Sequence, residues 1–380
     1  MSQYDYIIIG AGAAGLMLAD AMGKDSFFKD RTVLLLDGDN KKNNDRTWCF
    51  WEQDPGPFDD ILHRTWNHIY FGGQRFSNRF SITPYTYKMV RGIDFYKTFL
   101  KRLGTYPNII FAQEWVTDTE DQGHQVLVTT KRKNYTAKTV FNSIFDYKMV
   151  IGQKCHPVLQ QHFIGWFVKT KKPVFTTDQV TFMDFSVPQK GNTRFMYVLP
   201  MSPTYALVEY TLFSEKTLPE AEYERAILDY ISTYFKTTDF EILDKEKGSI
   251  PMTCYDFAQH NSKNMFHIGT AGGWAKPSTG YTFKSTAKKI PKLIAHLKSG
   301  KNLKKFKTKN RFWYYDLLLL DILYRDNAKG HHIFETMFKN IDPQKILKFL
   351  DEDTHFLEDL KVMHSAPSSD FFKALVRRMF

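Results

Sequence analysis

The chain has 380 residues, a formal net charge of +11 and 43% hydrophobic residues. This length allows two domains or one large domain with insertions, and the composition supports a hydrophobic core and argues against disorder. The three cysteines, Cys49, Cys155 and Cys254, are far apart and lack metal-ligand spacing, so we expect neither a disulfide framework nor a bound metal.

The first predicted elements form a strand–turn–helix unit. A β-branched run at residues 4–9 is followed directly by the glycine turn GAGAAG and then by a helical segment at 16–22. This order is the context that a dinucleotide-binding fingerprint requires. The alternative is a glycine turn selected only for packing between a strand and a helix.

Each residue of the turn has an expected role. Gly10 allows the tight turn, Gly12 lets the backbone approach a pyrophosphate, and Gly15 lets the helix pack close to the sheet. The phosphates would lie at the helix N-terminus, at Ala13 and Ala14, where unpaired N–H groups and the helix dipole favour an anion.

A second predicted strand, at 32–36, ends in Asp37. An acidic residue about 20 positions beyond the glycine turn is the usual ligand of the ribose hydroxyls. Selection of the turn for packing alone would leave Asp37 unexplained, so we predict a nucleotide site.

An aromatic segment at 46–52 follows that second strand. In a nucleotide-binding fold this position lies over the cofactor, so Trp48 and Trp51 are candidates to line a ligand cavity. A purely structural role in the core is an equal alternative. Further strands are predicted at 66–71, 79–82, 108–111, 126–130 and 139–141, with a helix at 94–103.

The region from 163 to 213 is rich in predicted strands. In the strand at 205–213, alternation places Glu209 on the same face as aromatic and aliphatic residues. A carboxyl group there is costly to bury, and burial favours its protonated form, which suits a general acid. Asp184, in another strand at 181–187, is a second candidate. Either acid could instead face an edge or pair with Lys or Arg.

A second glycine turn lies late in the chain, at 269–273, between a predicted strand at 265–268 and a basic helix. Such a turn would close the cofactor site from the other side, with N–H groups at the helix start facing the cofactor. Helices are then predicted through the tail, one of them starting at Asp342 and Pro343 and the last at 368–370.

Positive charge is concentrated between residues 276 and 311, which contain twelve Lys and Arg and no acidic residue. Lys284, Lys288 and Lys292 form one helical stripe, and a leucine-rich segment at 312–323 follows. This combination is typical of contact with an anionic membrane surface. The alternative is a solvated helix followed by a core helix. We expect no nucleic-acid binding, because no recognition motif accompanies the charge.

The start of the sequence lacks the basic region of a signal peptide, and no run of about 18 apolar residues occurs. We therefore expect a cytoplasmic protein that is peripheral on the inner face of the membrane.

Five motifs together resemble the bacterial lycopene β-cyclases. They are GAGAAG at 10–15, RTWCFWE at 46–52, TFMDFSV at 181–187, RFMYVLPMSP leading into LVEYT at 194–211, and IGTAGGWAKPSTGY at 268–281. The resemblance implies an α/β fold with an FAD-binding Rossmann-like domain of the p-hydroxybenzoate-hydroxylase type, an inserted substrate-binding β-sheet and a helical C-terminal region. The implied FAD domain comprises 1–72, 90–157 and 262–300, the sheet domain 73–89 and 158–261, and the tail 301–380.

The resemblance also implies a reaction and cofactors. These enzymes close β-ionone rings at the ψ ends of lycopene without net redox change, through γ-carotene to β-carotene. They use reduced FAD, with NAD(P)H as the electron donor. The substrate would be a long apolar carotene taken from a membrane. A flavin-dependent oxidoreductase, such as a prenyl reductase or aromatic hydroxylase, is the main alternative. A non-catalytic membrane or nucleic-acid binder that keeps a relic nucleotide fold is another.

Site residues follow from the same resemblance. Glu209 and Asp184 are the implied acid–base residues. The cofactor set is Gly10, Gly12, Ala13, Ala14, Gly15, Asp37, Arg46, Thr47, Arg91, Gly269, Gly272, Thr279, Gly280 and Tyr281. The substrate set is Trp48, Trp51, Tyr197, Trp274 and Pro277.

The sequence departs from the family pattern at two positions. Tyr210 stands where a second acid often follows the key glutamate, and Lys276 replaces the usual histidine. We therefore do not expect a mechanism that shares a proton between two successive acids at this position.

Overall fold

A computed structural model describes residues 2–379 of the chain. In chain order the strands are β1 (Ser2–Ile9), β2 (Val33–Asp37), β3 (Thr47–Glu52), β4 (Arg64–Trp66), β5 (His68–Gly72), β6 (Ser77–Ser81), β7 (Thr86–Arg91), β8 (Ile109–Gln113), β9 (Val116–Asp121), β10 (Val126–Thr130), β11 (Asn134–Asn142), β12 (Leu159–Thr170), β13 (Gln179–Asp184), β14 (Thr193–Ser202), β15 (Tyr205–Ser214), β16 (Phe240–Met252) and β17 (Met265–His267). The α-helices are α1 (Ala13–Lys24), α2 (Gly92–Leu103), α3 (Glu220–Tyr234), α4 (Phe283–Lys298), α5 (Arg311–Arg325), α6 (Gly330–Asn340), α7 (Pro343–Leu350), α8 (Phe356–Ser365) and α9 (Ser368–Met379).

The first sheet has the order β8-β2-β1-β11-β10-β9, and β17 pairs with β11. Strands β8, β2, β1, β11 and β17 are parallel, and Ile7, Ile8 and Ile9 of β1 are fully buried at its centre. A near-continuous apolar strand is expected where both faces of a parallel sheet are covered. Helix α1 packs against α2 and α4.

The turn between β1 and α1 depends on close backbone approach. A Cβ on Gly15 would lie 1.9 Å from the carbonyl oxygen of Gly10, and Gly10 itself has a φ of +93°. Both positions therefore require glycine for the fold alone. The predicted strand–turn–helix unit is confirmed.

The second sheet has the order β16-β12-β15-β14-β13-β5-β6. Helix α3 covers one face, where Tyr223, Ile227 and Ile231 join a buried cluster. Helices α5, α6 and α7 contribute to the cluster on the other face. The domain boundaries expected from the resemblance differ here, because residues 68–72 belong to this sheet. They pair in parallel with β13 and bury Ile69 and Phe71.

A third, smaller sheet has the order β3-β7-β4. It includes the aromatic segment at 47–52, and β7 within it falls in the range that the resemblance assigned to the substrate sheet. Strand β16 is a 13-residue element that was not predicted from the sequence, because its centre is a charged run.

The leucine-rich segment at 312–323 forms most of α5 and lies in the core. Leu317, Leu318, Leu320 and Leu323 are at most 3% exposed. The expected lipid contact of this segment is therefore wrong, because its apolar side chains pack against the second sheet and neighbouring helices. None of the helices described between residues 2 and 379 is long and apolar enough to cross a membrane.

The basic stripe on α4 is largely neutralised by the tail. Lys284 and Lys288 lie 2.9 and 3.0 Å from the carboxylate of Asp351, and Lys288 also pairs with Asp353. Two of the three predicted lysines therefore hold the C-terminal region in place, and they do not form a free basic surface.

A buried ion pair joins the late glycine turn to the tail. Lys276 Nζ lies 3.0 Å from Asp316 Oδ2, and both side chains are only 4% exposed. Ser278 donates a hydrogen bond to the same carboxylate, and Glu352 lies 3.3 Å from the lysine. The residue that departs from the family pattern thus has a structural partner on α5.

Removing one member of this pair should destabilise the protein strongly. We expect Asp316→Asn to lower the free energy of unfolding by about 3 kcal/mol, since it leaves a buried ammonium group short of its counter-charge. Asp178→Asn, which breaks an exposed pair with Arg79, should cost less than about 1 kcal/mol. Urea unfolding followed by circular dichroism measures both. Equal losses in the two variants would contradict the prediction.

Candidate active site

A cavity of about 420 Å³ runs between the glycine turns and the second sheet. Its lining joins residues from α1, β3, β7, β12–β16 and the segment preceding α4. The predicted residues that line it are Gly12, Ala13, Ala14, Arg46, Thr47, Trp48, Tyr197, Glu209, Gly269, Thr279, Gly280 and Tyr281. Segments separated by more than 250 positions in the sequence therefore form one site.

One end of the cavity is built from backbone at the start of α1. Gly12 is the N-cap of this helix, and no side chain caps it. A Cβ on Gly12 would have no atom within 4 Å, so the space beside this helix end is open. Gly269, with a φ of +59°, faces the same cavity from the late turn. Free N–H groups at a helix N-terminus are suited to an anionic group such as a pyrophosphate.

Asp37 holds the glycine turn from the end of β2. Its Oδ2 atom accepts a hydrogen bond of 2.6 Å from the backbone N–H of Ala11 and lies 3.1 Å from Lys41 Nζ. Asp37 is adjacent to the cavity but does not line it. Its predicted contact with ribose hydroxyls stays a prediction.

Several buried polar atoms at the cavity wall lack partners within residues 2–379. They are Oε1 of Gln161 and the hydroxyl oxygens of Thr279 and Thr286. Buried polar groups in native proteins are nearly always hydrogen-bonded. Together with the open helix end, these atoms fit a polar cofactor such as FAD.

Glu209 lies at the apolar part of the cavity. Strand β15 directs it to the same face as Leu207 and Phe213, which also line the space. The side chain is buried, and Thr211 donates a hydrogen bond of 2.5 Å to its Oε1 atom. Burial raises the pKa of this carboxyl well above its ordinary value, and the neighbouring charge of Glu246 raises it further.

Glu246 is a site residue that the sequence reasoning missed. It lies on β16, lines the cavity and accepts a hydrogen bond of 2.7 Å from the hydroxyl of Thr47. Burial also raises the pKa of Glu246, although the Thr47 hydrogen bond opposes the shift. The signal that could have identified it is the alternation of Glu246, Gly248 and Ile250 on one strand face.

Aromatic side chains and a thiol complete the wall around Glu209. The hydroxyls of Tyr87 and Tyr197 are 2.7 Å apart, and Tyr281 and Cys49 are close by. Burial raises the pKa of Tyr87, Tyr197 and Tyr281 well above their ordinary value, and it raises the pKa of Cys49 to about 12. These groups are therefore neutral at physiological pH.

Trp48 combines the two roles that the sequence left open. It lines the cavity and also stacks on Phe283 of α4, with ring centroids 5.1 Å apart. Trp51, by contrast, is buried beside Tyr87, and its indole N–H donates to the carbonyl oxygen of Leu347.

The structure places several other predicted residues outside the cavity. Asp184 is fully buried and accepts hydrogen bonds from Tyr230 on α3 and from the backbone of Ser186. It faces helix α3 because β13 directs it away from Glu209. Arg91 pairs with Asp94 at 3.0 Å.

The remaining residues outside the cavity come from the late glycine turn. Trp274 is completely buried, and Gly272 and Pro277 line a separate groove that also contains Lys276. A Cβ on Gly272 would lie 2.3 Å from the carbonyl oxygen of His267, so this glycine is required by packing.

Known proteins share this architecture and part of this sequence. The family described as "Lycopene cyclase protein" matches residues 5–376. The lycopene beta-cyclase of Pantoea ananas is 24% identical over 289 residues, which cover 74% of this chain and 71% of that protein.

Among solved structures, a flavoprotein/dehydrogenase from Cytophaga hutchinsonii aligns with a TM-score of 0.65 and 16% identity, covering 100% of this chain and 99% of that one. The flavin-dependent brominase Bmp2 aligns with a TM-score of 0.62 and 14% identity over 92% and 94% of the two chains. The fold is thus that of the p-hydroxybenzoate-hydroxylase-like flavoproteins. Since the family match extends over nearly the whole sequence, this chain belongs to the lycopene cyclase family.

Proposed function

We propose that the protein is a lycopene β-cyclase that uses reduced FAD, with NAD(P)H as the electron donor. The observation that carries the proposal is the position of Glu209. This buried carboxyl lies in an aromatic-walled part of the cavity whose other end is a glycine turn suited to a dinucleotide. An acid in apolar surroundings fits protonation of a hydrocarbon better than hydroxylation.

In this mechanism Glu209 donates a proton to C2 of a ψ end, which leaves a tertiary cation at C1. The C5–C6 double bond attacks that cation, so that C6 bonds to C1, and loss of a proton from C6 gives the β ring. The faces of Trp48, Tyr197 and Tyr281 stabilise the positive charge by roughly 1–2 kcal/mol each where water is excluded. Reduced FAD would supply negative charge beside the cation without net electron transfer.

Asp184 has only a structural role in this mechanism. Its hydrogen bond to Tyr230, with the oxygens 2.7 Å apart, ties β13 to α3 on the face opposite the cavity. We therefore assign proton transfer to Glu209 and a structural role to Asp184.

The substitution Glu209→Gln should abolish ring closure, with a loss of roughly 10²–10⁴-fold, because the amide has no acidic proton. Flavin content should be unchanged. The measurement is pigment composition in a bacterial host that accumulates lycopene, with Glu215→Gln, an exposed position just beyond β15, as the matched control. Unconverted lycopene with the unmodified protein, together with NAD(P)H oxidation in proportion to another product, would support the oxidoreductase alternative.

The two glycines of the first turn should behave differently on substitution. Gly12→Val fills open space beside the end of α1, so we expect a folded protein that binds FAD roughly tenfold more weakly or worse. Gly15→Ala should instead unfold at lower denaturant concentration. The flavin absorbance of the purified proteins measures cofactor binding, and urea unfolding measures stability. Gly104→Val is the control for both measurements. Full flavin content in Gly12→Val would contradict the cofactor placement.

Helices α8 and α9 present the apolar surface that we propose for membrane contact. Their exposed side chains are Phe356, Leu357, Leu360, Phe372, Val376 and Met379. The acidic residues of these helices, Glu358, Asp359 and Asp370, are each paired with a basic side chain. Within residues 2–379, Lys361, Lys373 and Arg377 have no ion pair, so the surface is both apolar and basic, as anionic lipid requires.

The double substitution Leu357→Glu and Phe372→Glu should weaken binding to vesicles that contain anionic lipid by more than tenfold, since burial of each side chain contributes roughly 1.5–3 kcal/mol. Binding of the unmodified protein should weaken with salt. Vesicle sedimentation measures both effects. Trp115→Glu, an exposed aromatic position in the first sheet region, is the control. Equal vesicle binding by the double variant and the control would exclude this surface.

A further inference from the structure

We propose that Glu246 is the charge partner of Glu209, and that the two carboxyl groups hold one proton between them across Gly165. This inference rests on the proposed cyclase function and assigns the second acid–base group of the same cavity. Neither the family motif nor the sequence pattern around Glu209 identifies it.

The pairing of three strands brings the two groups together. Strand β12 lies between β15 and β16, and its Gly165 is the register partner of Glu209 on one side and of Glu246 on the other. A Cβ on Gly165 would lie 3.4 Å from Glu209 Cβ and 3.3 Å from Glu246 Cγ. Because glycine has no side chain, Glu209 and Glu246 both border the space above the central strand, together with Leu207, whose Cδ1 atom would lie 2.8 Å from the same Cβ.

Tyr210, at the position of the family's usual second acid, cannot serve as this partner. Successive residues of a strand point to opposite faces. Tyr210 is buried in the cluster beneath α3, and its hydroxyl accepts a hydrogen bond from Arg194 at 3.4 Å. An acid that shares a proton with Glu209 must therefore come from another strand, and Glu246 lies on β16, on the other side of β12.

A pair with one proton balances the proposed reaction. The protonated member gives its proton to C2 as the C2–H bond forms, and the pair then carries two negative charges beside the cation. After the C1–C6 bond forms, one carboxylate takes the proton that leaves C6. The pair returns to its starting state with no oxidant, reductant or external base.

The surrounding groups favour one proton in the pair near neutral pH. Around Glu209, the thiol of Cys49 and the hydroxyls of Tyr197 and Tyr281 are neutral, so burial raises the carboxyl pKa with no counter-charge. Around Glu246, the charge of Arg46 lowers the pKa, whereas Asp45 and Asp244 raise it. The shared proton is therefore more stable on Glu209 than on Glu246.

The test compares Glu246→Gln with Glu241→Gln, an exposed position on the same strand. With lycopene in vesicles and reduced holoenzyme, the unmodified protein should show a bell-shaped dependence of rate on pH, because the active state has one proton. Glu246→Gln should reduce the maximal rate by roughly tenfold or more. The pH–rate profile of this variant should also lack the acid limb, because the second carboxyl group is gone. Its alkaline limb should lie at lower pH, since no neighbouring charge raises the pKa of Glu209. A profile like that of Glu241→Gln would overturn the proposal.

A second variant perturbs the pair without removing a carboxyl group. In the unmodified protein the hydroxyl of Thr47 donates a hydrogen bond to Glu246, and this bond lowers the pKa of Glu246. Thr47→Val removes the hydroxyl, so the pKa of Glu246 should rise. The acid limb should therefore move to higher pH, whereas a merely structural role for Glu246 would leave its position unchanged.

An infrared titration separates failure of this inference from failure of the cyclase proposal. In the holoprotein without carotene, the carboxylic C=O band of the pair should titrate at lower pH in Glu246→Gln than in the unmodified protein. An unchanged titration overturns the pairing whatever the substrate is. A shifted titration with no conversion of lycopene by the unmodified protein would support the pair and overturn the cyclase function.

Discussion

The alternation of side chains along β15 is the constraint on which the site depends. One face of this strand directs Leu207, Glu209 and Phe213 to the cavity, and the other directs Val208, Tyr210 and Leu212 to the cluster under α3. A one-residue change of register would exchange these faces and place the carboxyl among buried apolar side chains with no cavity beside it. Helix α3 therefore contributes to the site indirectly, because it covers the opposite face of the sheet and leaves the Glu209 face to the cavity.

Three lysines of the basic region between residues 276 and 311 stabilise the fold. Lys276, Lys284 and Lys288 all connect the late turn and α4 to acidic residues of α5 or of the segment after α7. Charge density in the sequence could not reveal this, since the acidic partners are 40 to 76 positions away. The surface that we propose for membrane contact is instead on α8 and α9, where basic residues are less concentrated in the sequence.

Local patterns predicted the parts of the structure that depend on local rules. The strand, glycine turn and helix at residues 2–24 follow from β-branched residues and obligatory glycines. The alternation around Glu209 predicted the strand face that it shares with Leu207 and Phe213, and in the structure that face lines the cavity. Asp184 and Trp274 were less predictable, because whether a strand or turn residue faces a cavity or a neighbouring helix depends on tertiary packing. Glu246 lies in a run of charged residues typical of a solvated loop, and only its pairing with β12 gives it a buried neighbour.

Strand β17 also imposes an order on the biogenesis of the protein. It adds to β11 within the first sheet, yet it follows the strands of the second sheet in the chain. The ribosome must therefore synthesise β12–β16 before the first sheet can acquire β17, its last parallel strand, and before α4 can pack on α1. Until then, residues 140–142 of β11 have an open edge where β17 will pair, and an open strand edge can pair with other chains.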